Sequence, residues 1–234
     1  MKIYLTRHSK TAWNQEKRLQ GRCDSPLTQE GEENAKALKD YIQTIPFDCI
    51  YSSPIPRAYT TARLLFDHKK IILDDRLMEM NFGDFEGRKI SDILKSDYEL
   101  YHNLWHHPEK FTFIPHGESY DDVIERARSF LIDLEKNHSQ NSTVMIVTHG
   151  MFFIVLLATM LGMKKKDYIK INQKVVEGCS LTLVNLENGK YDLKYSYILQ
   201  DDSEEEHYNA DTVVTLKDFP KISMTLAEMF ENVE

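Results

Sequence analysis

His8 and His149 each stand just past a run of apolar, β-branched residues, Lys2–Thr6 before Arg7-His8 and Thr143–Thr148 before His149-Gly150. Ser52-Ser53-Pro54, with Arg57 beyond it, closes another such run, Phe47–Ser52. Glu79 lies in the acid- and glycine-rich stretch Asp75–Gly87 that follows Ile71–Leu73. Two imidazoles, two guanidiniums and a carboxylate suit phosphoryl transfer. Arginine offers paired donors to phosphate oxygens. One neutral imidazole can attack phosphorus, and a second, protonated, can stabilise the charge that builds on the equatorial oxygens. A carboxylic acid can protonate the leaving alcohol. Taken singly, each residue is an ordinary polar group where a strand surfaces, so the chemistry depends on their meeting.

They meet if the apolar runs are parallel strands, because open α/β sheets bind ligands beyond the C-terminal ends of their strands. Thr28 is placed to cap a helix whose Ala35, Leu38, Tyr41, Ile42 and Ile45 recur at helical spacing until Pro46. Ser53-Pro54-Ile55-Pro56 opens a second helix, faced by Ala58, Ala62 and Leu65. Ser119 and Asp122 form a capping-box spacing ahead of Val123, Ala127, Phe130, Leu131 and Leu134. An almost wholly apolar helix follows His149-Gly150 to Leu161, with Gly162 as its stop. Ser180–Leu186 and Tyr191–Leu199 read as a hairpin around Asn188-Gly189. Residues 9–27 read as a long loop. Residues 88–117 read as one or two short helices and a loop, whose Tyr98, Tyr101, Trp105, Phe111 and Phe113 serve as pocket cover or as core. The pattern predicts an α/β three-layer sandwich: a mainly parallel sheet with an antiparallel edge strand and helices on both faces.

The chain has 234 residues and a formal net charge of −8. Residues 201–234 carry ten acids against two lysines, which leaves 27 acids against 27 bases before them. The expected division is therefore a body, residues 1–200, and an acidic C-terminal extension, residues 201–234. Within the extension, 201–209 reads as an exposed linker and Thr212–Leu216 as a short strand. Thr225-Leu226-Ala227-Glu228 reads as a capping box opening a short helix with Met229 and Phe230. No basic footprint suggests nucleic acid as a partner. The longest apolar run, Met151–Leu161, is half a membrane span, and Met1–Leu5 is too short for a signal peptide's apolar core. Cys23, Cys49 and Cys179 lie far apart, with neither a disulfide framework nor a zinc spacing, which suits a cytoplasmic protein. His102, His106, His107 and His116 lack acid or cysteine partners at ligand spacing, so no metal is expected. No signal for an oligomeric state is present.

Arg7-His8 with Thr11 and Asn14; Gly21 with Ser25-Pro26-Leu27-Thr28 and Gly31; Ser52-Ser53-Pro54 with Arg57-Ala58 and Thr61-Ala62; Leu77, Glu79, Phe82-Gly83 and Glu86-Gly87; Pro115 and Gly117-Glu118-Ser119; and Thr148-His149-Gly150 occur in that order. This ordered set resembles the histidine phosphatase superfamily, in the branch that includes cofactor-dependent phosphoglycerate mutases and related small phosphatases. The resemblance spans about residues 1–200. It implies that His8 is the nucleophile and forms a phosphohistidine. It implies that Arg7, Arg57 and His149 hold the phosphoryl group with help from Asn14, and that Glu79 protonates the leaving group and then activates water. It implies that Gln20 and Gly21 line the substrate side. Neither metal nor cofactor is implied, and the partner implied is a small phosphorylated metabolite.

Ser9 departs from the family pattern, which has glycine directly after the nucleophile; its hydroxyl could donate to phosphate, slow turnover, or be tolerated as a small residue. A mutase of this branch carries arginine directly after the acid glutamate, an arginine pair in the insertion, and tryptophan after the Gly21 position. Here Met80 and Arg22 stand at those places, and residues 88–117 hold only Arg88, Lys89, Lys95 and Lys110 as cations. The expected activity is thus metal-independent hydrolysis of a phosphomonoester. The alternatives are a cofactor-dependent phosphoglycerate mutase and a weakly active phosphate-binding or regulatory protein. Arg18, Arg22 and Arg88 are candidates to meet a second anionic group on the substrate. Glu118 reads as a helix-start acid rather than a catalytic group.

Overall fold

The computed structural model describes residues 1–171, 178–198, 206–209, 213–215 and 223–225. Side chains of a strand alternate between its faces, and this sorts the core. From β1 (Lys2–Arg7) and β4 (Thr143–Thr148), Ile3, Leu5, Val144 and Ile146 enter one apolar cluster, while Tyr4, Met145 and Val147 enter the other. The first cluster is closed by α6 (Tyr120–Asn137) and α7 (Gly150–Met160), the second by α2 (Gln29–Ile42) and α3 (Pro56–Leu65). All six residues of β4 are buried, as a strand covered on both faces requires. The three layers are those expected from the sequence pattern.

The larger sheet has the order β3-β2-β4-β1-β5-β6-β7, with β2 at Cys49–Ser52, β3 at Ile72–Leu73, β5 at Leu181–Glu187, β6 at Lys190–Ile198 and β7 at Glu206–Asn209. The first four strands in that order are parallel, and β5 to β7 are antiparallel. The register places Arg7 opposite Thr148 and Ser52 opposite Val147. His8, His149 and Ser53 therefore leave the sheet side by side at one edge. Asn188 and Gly189 make the β5–β6 turn with φ of 51° and 75°, the left-handed pair that a two-residue hairpin needs.

Several expectations are refined. The stretch 9–27 contains a one-turn helix, α1 (Ala12–Gln15), too short to show periodicity; Thr11 and Asn14 close it as a capping box. Residues 88–117 hold two helices, α4 (Ile90–Ser96) and α5 (Tyr98–His106). Trp105 packs on Phe82 with centroids 6.3 Å apart, and Leu104 and Phe111 are buried, so most of the aromatic crowd is core, with Tyr98 and Phe113 exposed. The linker reading of 201–209 is corrected at Glu206–Asn209, which pairs with β6; backbone pairing at a sheet edge does not need an apolar pattern. β8 (Val213–Thr215) pairs with β9 (Ser223–Thr225), so Thr225 ends a strand. The helix expected after it lies outside the described residues. Among the described residues no helix is long and apolar enough to cross a membrane.

Ser119 caps α6 by accepting from Asp122 N–H, while the Asp122 carboxylate accepts from Ser119 N–H. Ser119→Ala is expected to cost about 1 kcal/mol and to lower the melting temperature by about 2–4 °C. Thermal denaturation followed by circular dichroism checks this, and an unchanged midpoint would refute the capping assignment.

Candidate active site

The edge where β1, β2 and β4 end gathers the reactive groups. His8 is buried, and its N–H donates to Thr148 O (2.8 Å), which ties the β1 end to that of β4. Its Nδ1 lies 2.7 Å from Ser9 O. A carbonyl only accepts, so Nδ1 carries the proton and Nε2 keeps its lone pair. Arg57 Nε donates to that Nε2 at 3.2 Å. Burial, then the charges of Arg57 and Arg7, push His8 well below the ordinary imidazole value; its bond to Ser9 O works the other way. The ring is held neutral, in one tautomer, with a nucleophilic nitrogen aimed at a guanidinium.

Arg57 is only 2% exposed although it is a cation. It sits at the second position of α3, and its other donors reach Gly21 O (2.6 Å), Cys23 O (2.5 Å) and Asp24 Oδ1 (3.4 Å). The loop that supplies those carbonyls is held from its other side by Glu86, whose carboxylate accepts from Arg22 N–H (2.9 Å), Cys23 N–H (3.1 Å) and Phe82 N–H (3.0 Å). Gly21 has φ of 58°, and a Cβ there would lie 2.0 Å from Glu86 Oε1, so the turn admits glycine alone without rearrangement.

Glu79 faces the N-terminus of α7. Its Oε1 accepts from Met80 N–H and Phe152 N–H, both at 2.9 Å, and its Oε2 accepts from Met151 N–H at 3.1 Å. One N–H on Oε2 against two on Oε1 leaves Oε2 the better-placed oxygen to exchange a proton. His149 precedes α7, and its ring centroid is 5.2 Å from that of His8. Ser53 Oγ, which already accepts from Ile55 N–H, lies 2.7 Å from His149 Nε2. A hydroxyl can donate to Nε2 or accept from it, so this contact accommodates either tautomer of His149. His149 Nδ1 is buried without a hydrogen-bond partner. Burial, then Arg57, His8, Arg7 and Arg126, push His149 well below the ordinary value. Burial and the neighbouring guanidiniums thus disfavour the charged form of both rings.

The remaining predicted residues take mixed places. Arg7 reaches α7, where a Cβ on Gly150 would lie 3.5 Å from its Cζ. Asn14 Oδ1 is engaged by Thr11 N–H and Thr11 Oγ1, which turns the amide nitrogen the other way. Gln20 is buried with Oε1 on Ser25 Oγ (3.2 Å), so it braces the loop, and Gly21 contributes a carbonyl. Ser9 is fully buried, and its Oγ makes no hydrogen bond of ordinary geometry; the Cys179 thiol, pushed up to about 12 by burial, feels it. The sequence reading missed Arg126 and underread Glu118. Arg126 donates to Arg76 O and Met78 O, both at 2.7 Å, and lies 4.5 Å over the Phe152 ring, so it sets the loop that delivers Glu79. Glu118 is more than a helix-start acid, since it accepts from Arg22 Nη2 (2.9 Å), Arg126 Nε (3.0 Å) and Asn81 N–H (2.8 Å). A basic residue in the middle of an amphipathic helix gives no sign of such a role until the fold is known. His102 packs against His106 and His107 at centroid distances of 4.7 and 5.4 Å, and among the described residues no three His, Cys, Asp or Glu side chains are arranged to hold a metal ion.

Comparison with known proteins gives the site its context. The family model described as "Histidine phosphatase superfamily (branch 1)" matches residues 3–198. A relative from Hydrogenobacter thermophilus, provisionally named phosphoserine phosphatase 2, is 36% identical over 194 residues, which cover 79% of this chain and 94% of the relative. A protein of Erwinia tasmaniensis named as a probable phosphoglycerate mutase GpmB is 32% identical over 187 residues, covering 79% and 85%. The solved structure of Bacillus stearothermophilus YhfR superposes with a TM-score of 0.76 at 31% identity, covering 82% of this chain and 94% of that one.

The two buried imidazoles set a pH dependence of stability. Their values are depressed in the fold, so below about 6.5, the ordinary imidazole value, the unfolded chain binds the extra protons. Stability is expected to be full above that pH and to fall as pH drops from 6.5 towards 5. Urea midpoints across this range should decline in the wild type and decline less in His149→Gln. A flat wild-type profile would contradict the burial of neutral imidazoles.

Proposed function

The chain belongs to the histidine phosphatase superfamily, and from that premise we propose that it hydrolyses a small phosphomonoester through a phosphohistidine on His8. The observation that carries this reading is the fixed tautomer of His8, with Nδ1–H on Ser9 O and the Nε2 lone pair facing Arg57 Nε. In the first step Nε2 attacks phosphorus and the ester P–O bond breaks. Glu79 gives its proton to the leaving oxygen, which departs as an alcohol. In the second step Glu79 takes a proton from water, the water oxygen attacks phosphorus, and the N–P bond breaks to release inorganic phosphate. Arg7, Arg57 and His149 bind the non-bridging oxygens, with the Asn14 amide beside them. Arg57 exchanges donors from Gly21 O and Cys23 O to the phosphoryl group as substrate enters. Gly21 and Gln20 shape the wall next to the leaving group. The reading requires no metal, because the arginines supply the positive charge. It takes residues 1–200 as the catalytic body, and a reducing cytoplasm as the setting for its unpaired cysteines.

Mutase action is the second reading, favoured by the name of the Erwinia relative. Two observations weigh against it. Met80, next to Glu79, is fully buried in apolar core, where a cation would be costly. Arg18, Arg22 and Arg88 pair with Glu16 (2.6 Å), Glu118 (2.9 Å) and Asp97 (3.2 Å) of the same chain. A mutase needs further cations to retain a bisphosphorylated intermediate, and these three are engaged at home. A purely regulatory, phosphate-binding role does not explain why one imidazole nitrogen is held deprotonated and directed at the guanidinium.

Hydrolysis of an aryl phosphate is expected to persist in a metal chelator and to vanish in His8→Ala. Chelator-sensitive turnover, or turnover independent of His8, would overturn the mechanism. Glu79→Gln should lose about 10²–10⁴-fold in kcat, the usual worth of general acid–base catalysis. Phosphoglycerate supplied with a bisphosphate primer should not isomerise; efficient interconversion would establish the mutase reading instead.

A further inference from the structure

Thr61 belongs to the Arg57-Ala58/Thr61-Ala62 motif, yet the chemistry above gives it no part. It is fully buried on α3, one turn past Arg57. Its Oγ1 donates to Arg57 O at 2.8 Å. Such a bond to the carbonyl four residues back is the ordinary way a helical threonine satisfies its proton. The same oxygen, however, also accepts from Ser9 N–H at 3.0 Å, across 52 residues of sequence. That second bond has no helical explanation.

We propose that Thr61 is a positioning residue that fixes the nucleophile's tautomer by linking the turn after His8 to the helix that carries Arg57. The inference rests on the reading of His8 as nucleophile. Four contacts close a ring: His8 Nδ1 to Ser9 O (2.7 Å), Ser9 N to Thr61 Oγ1 (3.0 Å), Thr61 Oγ1 to Arg57 O (2.8 Å), and Arg57 Nε to His8 Nε2 (3.2 Å). Both nitrogens of the His8 ring are therefore set by groups that Thr61 touches. Ser9 O is aimed at Nδ1 by the turn whose N–H Thr61 holds, and Arg57 starts from the helical turn whose carbonyl Thr61 grips. Without the hydroxyl, Ser9 N–H is buried with no acceptor, and a buried amide in that state reorients to find one. The turn shifts with it, and Nε2 no longer meets the phosphorus in line.

Thr61→Val removes the hydroxyl at nearly constant shape, and Thr61→Ser keeps it. Rapid-quench measurement of phosphoenzyme from an aryl phosphate separates two quantities: burst amplitude counts working sites, and burst rate reports alignment at each of them. Thr61→Ser should stay within about threefold of wild type, and Thr61→Val should slow the burst rate by about 10–100-fold with little change in KM, the scale of a misplacement near 1 Å. Nitrogen NMR of the imidazoles should show His8 protonated at Nδ1 in wild type and Thr61→Ser, and a tautomer mixture in Thr61→Val. Equal burst rates per site for the valine and serine variants, with one tautomer throughout, would overturn the proposal and leave the phosphatase reading intact. A wild type that forms no phosphohistidine while the tautomer still responds to Thr61→Val would overturn the nucleophile reading and support the coupling.

Discussion

A guanidinium taken out of water must be given polar partners, and in this protein that demand organises the site. Arg57 is among the largest fully buried side chains, and burial pulls its value down while Glu79 and Asp24 pull it back. Stripping a cation of its water costs several kcal/mol, and the Gly21 and Cys23 carbonyls, Asp24 and His8 Nε2 together offset it. Each partner is thereby fixed in place. The loop Gly21–Asp24 cannot wander, and the His8 lone pair has one direction. The same donors that satisfy the protein are the ones a phosphoryl group would take over, so the site is already shaped for an anion.

The sheet delivers these groups through register rather than through loops. Arg7 opposite Thr148, and Ser52 opposite Val147, bring His8, His149 and Ser53 to adjacent strand ends. Loops are needed for Glu79 and for the substrate wall, and there carboxylates and buried arginines serve as fasteners. Glu86 gathers three backbone N–H groups, two of them from the loop of Gly21. Arg126 holds the carbonyls of Arg76 and Met78 just before Glu79, and Glu118 joins Arg126 to Arg22. The loop of Glu79 and the loop of Gly21 are thus linked through Arg126 and Glu118.

Ser9 looks different in this setting. A hydroxyl beside His8 invites a role in phosphate binding, but its Oγ is buried near Cys179, while its backbone N–H donates to Thr61 and its carbonyl accepts from His8 Nδ1. Gly178 approaches this turn closely, since a Cβ on it would lie 3.1 Å from His8 O and 3.3 Å from Lys10 N. Small residues around the turn accommodate a serine where a larger residue would strain it. The chain belongs to the histidine phosphatase superfamily, and its outer arginines, Arg18, Arg22 and Arg88, pair with its own Glu16, Glu118 and Asp97.

The sequence by itself determined the layers, the parallel strands and the residue types at their ends, because apolar periodicity, caps and turn residues act over a few positions. It marked Arg7, His8, Arg57, Glu79 and His149, it read Glu118 as no more than a helix-start acid, and it left Thr61, Glu86 and Arg126 without roles. It read 9–27 and Glu206–Asn209 too simply, since a one-turn helix and an edge strand leave little periodic trace. Only the tertiary structure decided which nitrogen of His8 holds a proton, and that burial disfavours the charged form of both imidazoles. The reason is distance along the chain. The bonds that hold these rings and the turn after His8 join residues 49, 52 and 96 positions apart, and burial, which depresses both imidazoles, exists only once the layers have closed over them.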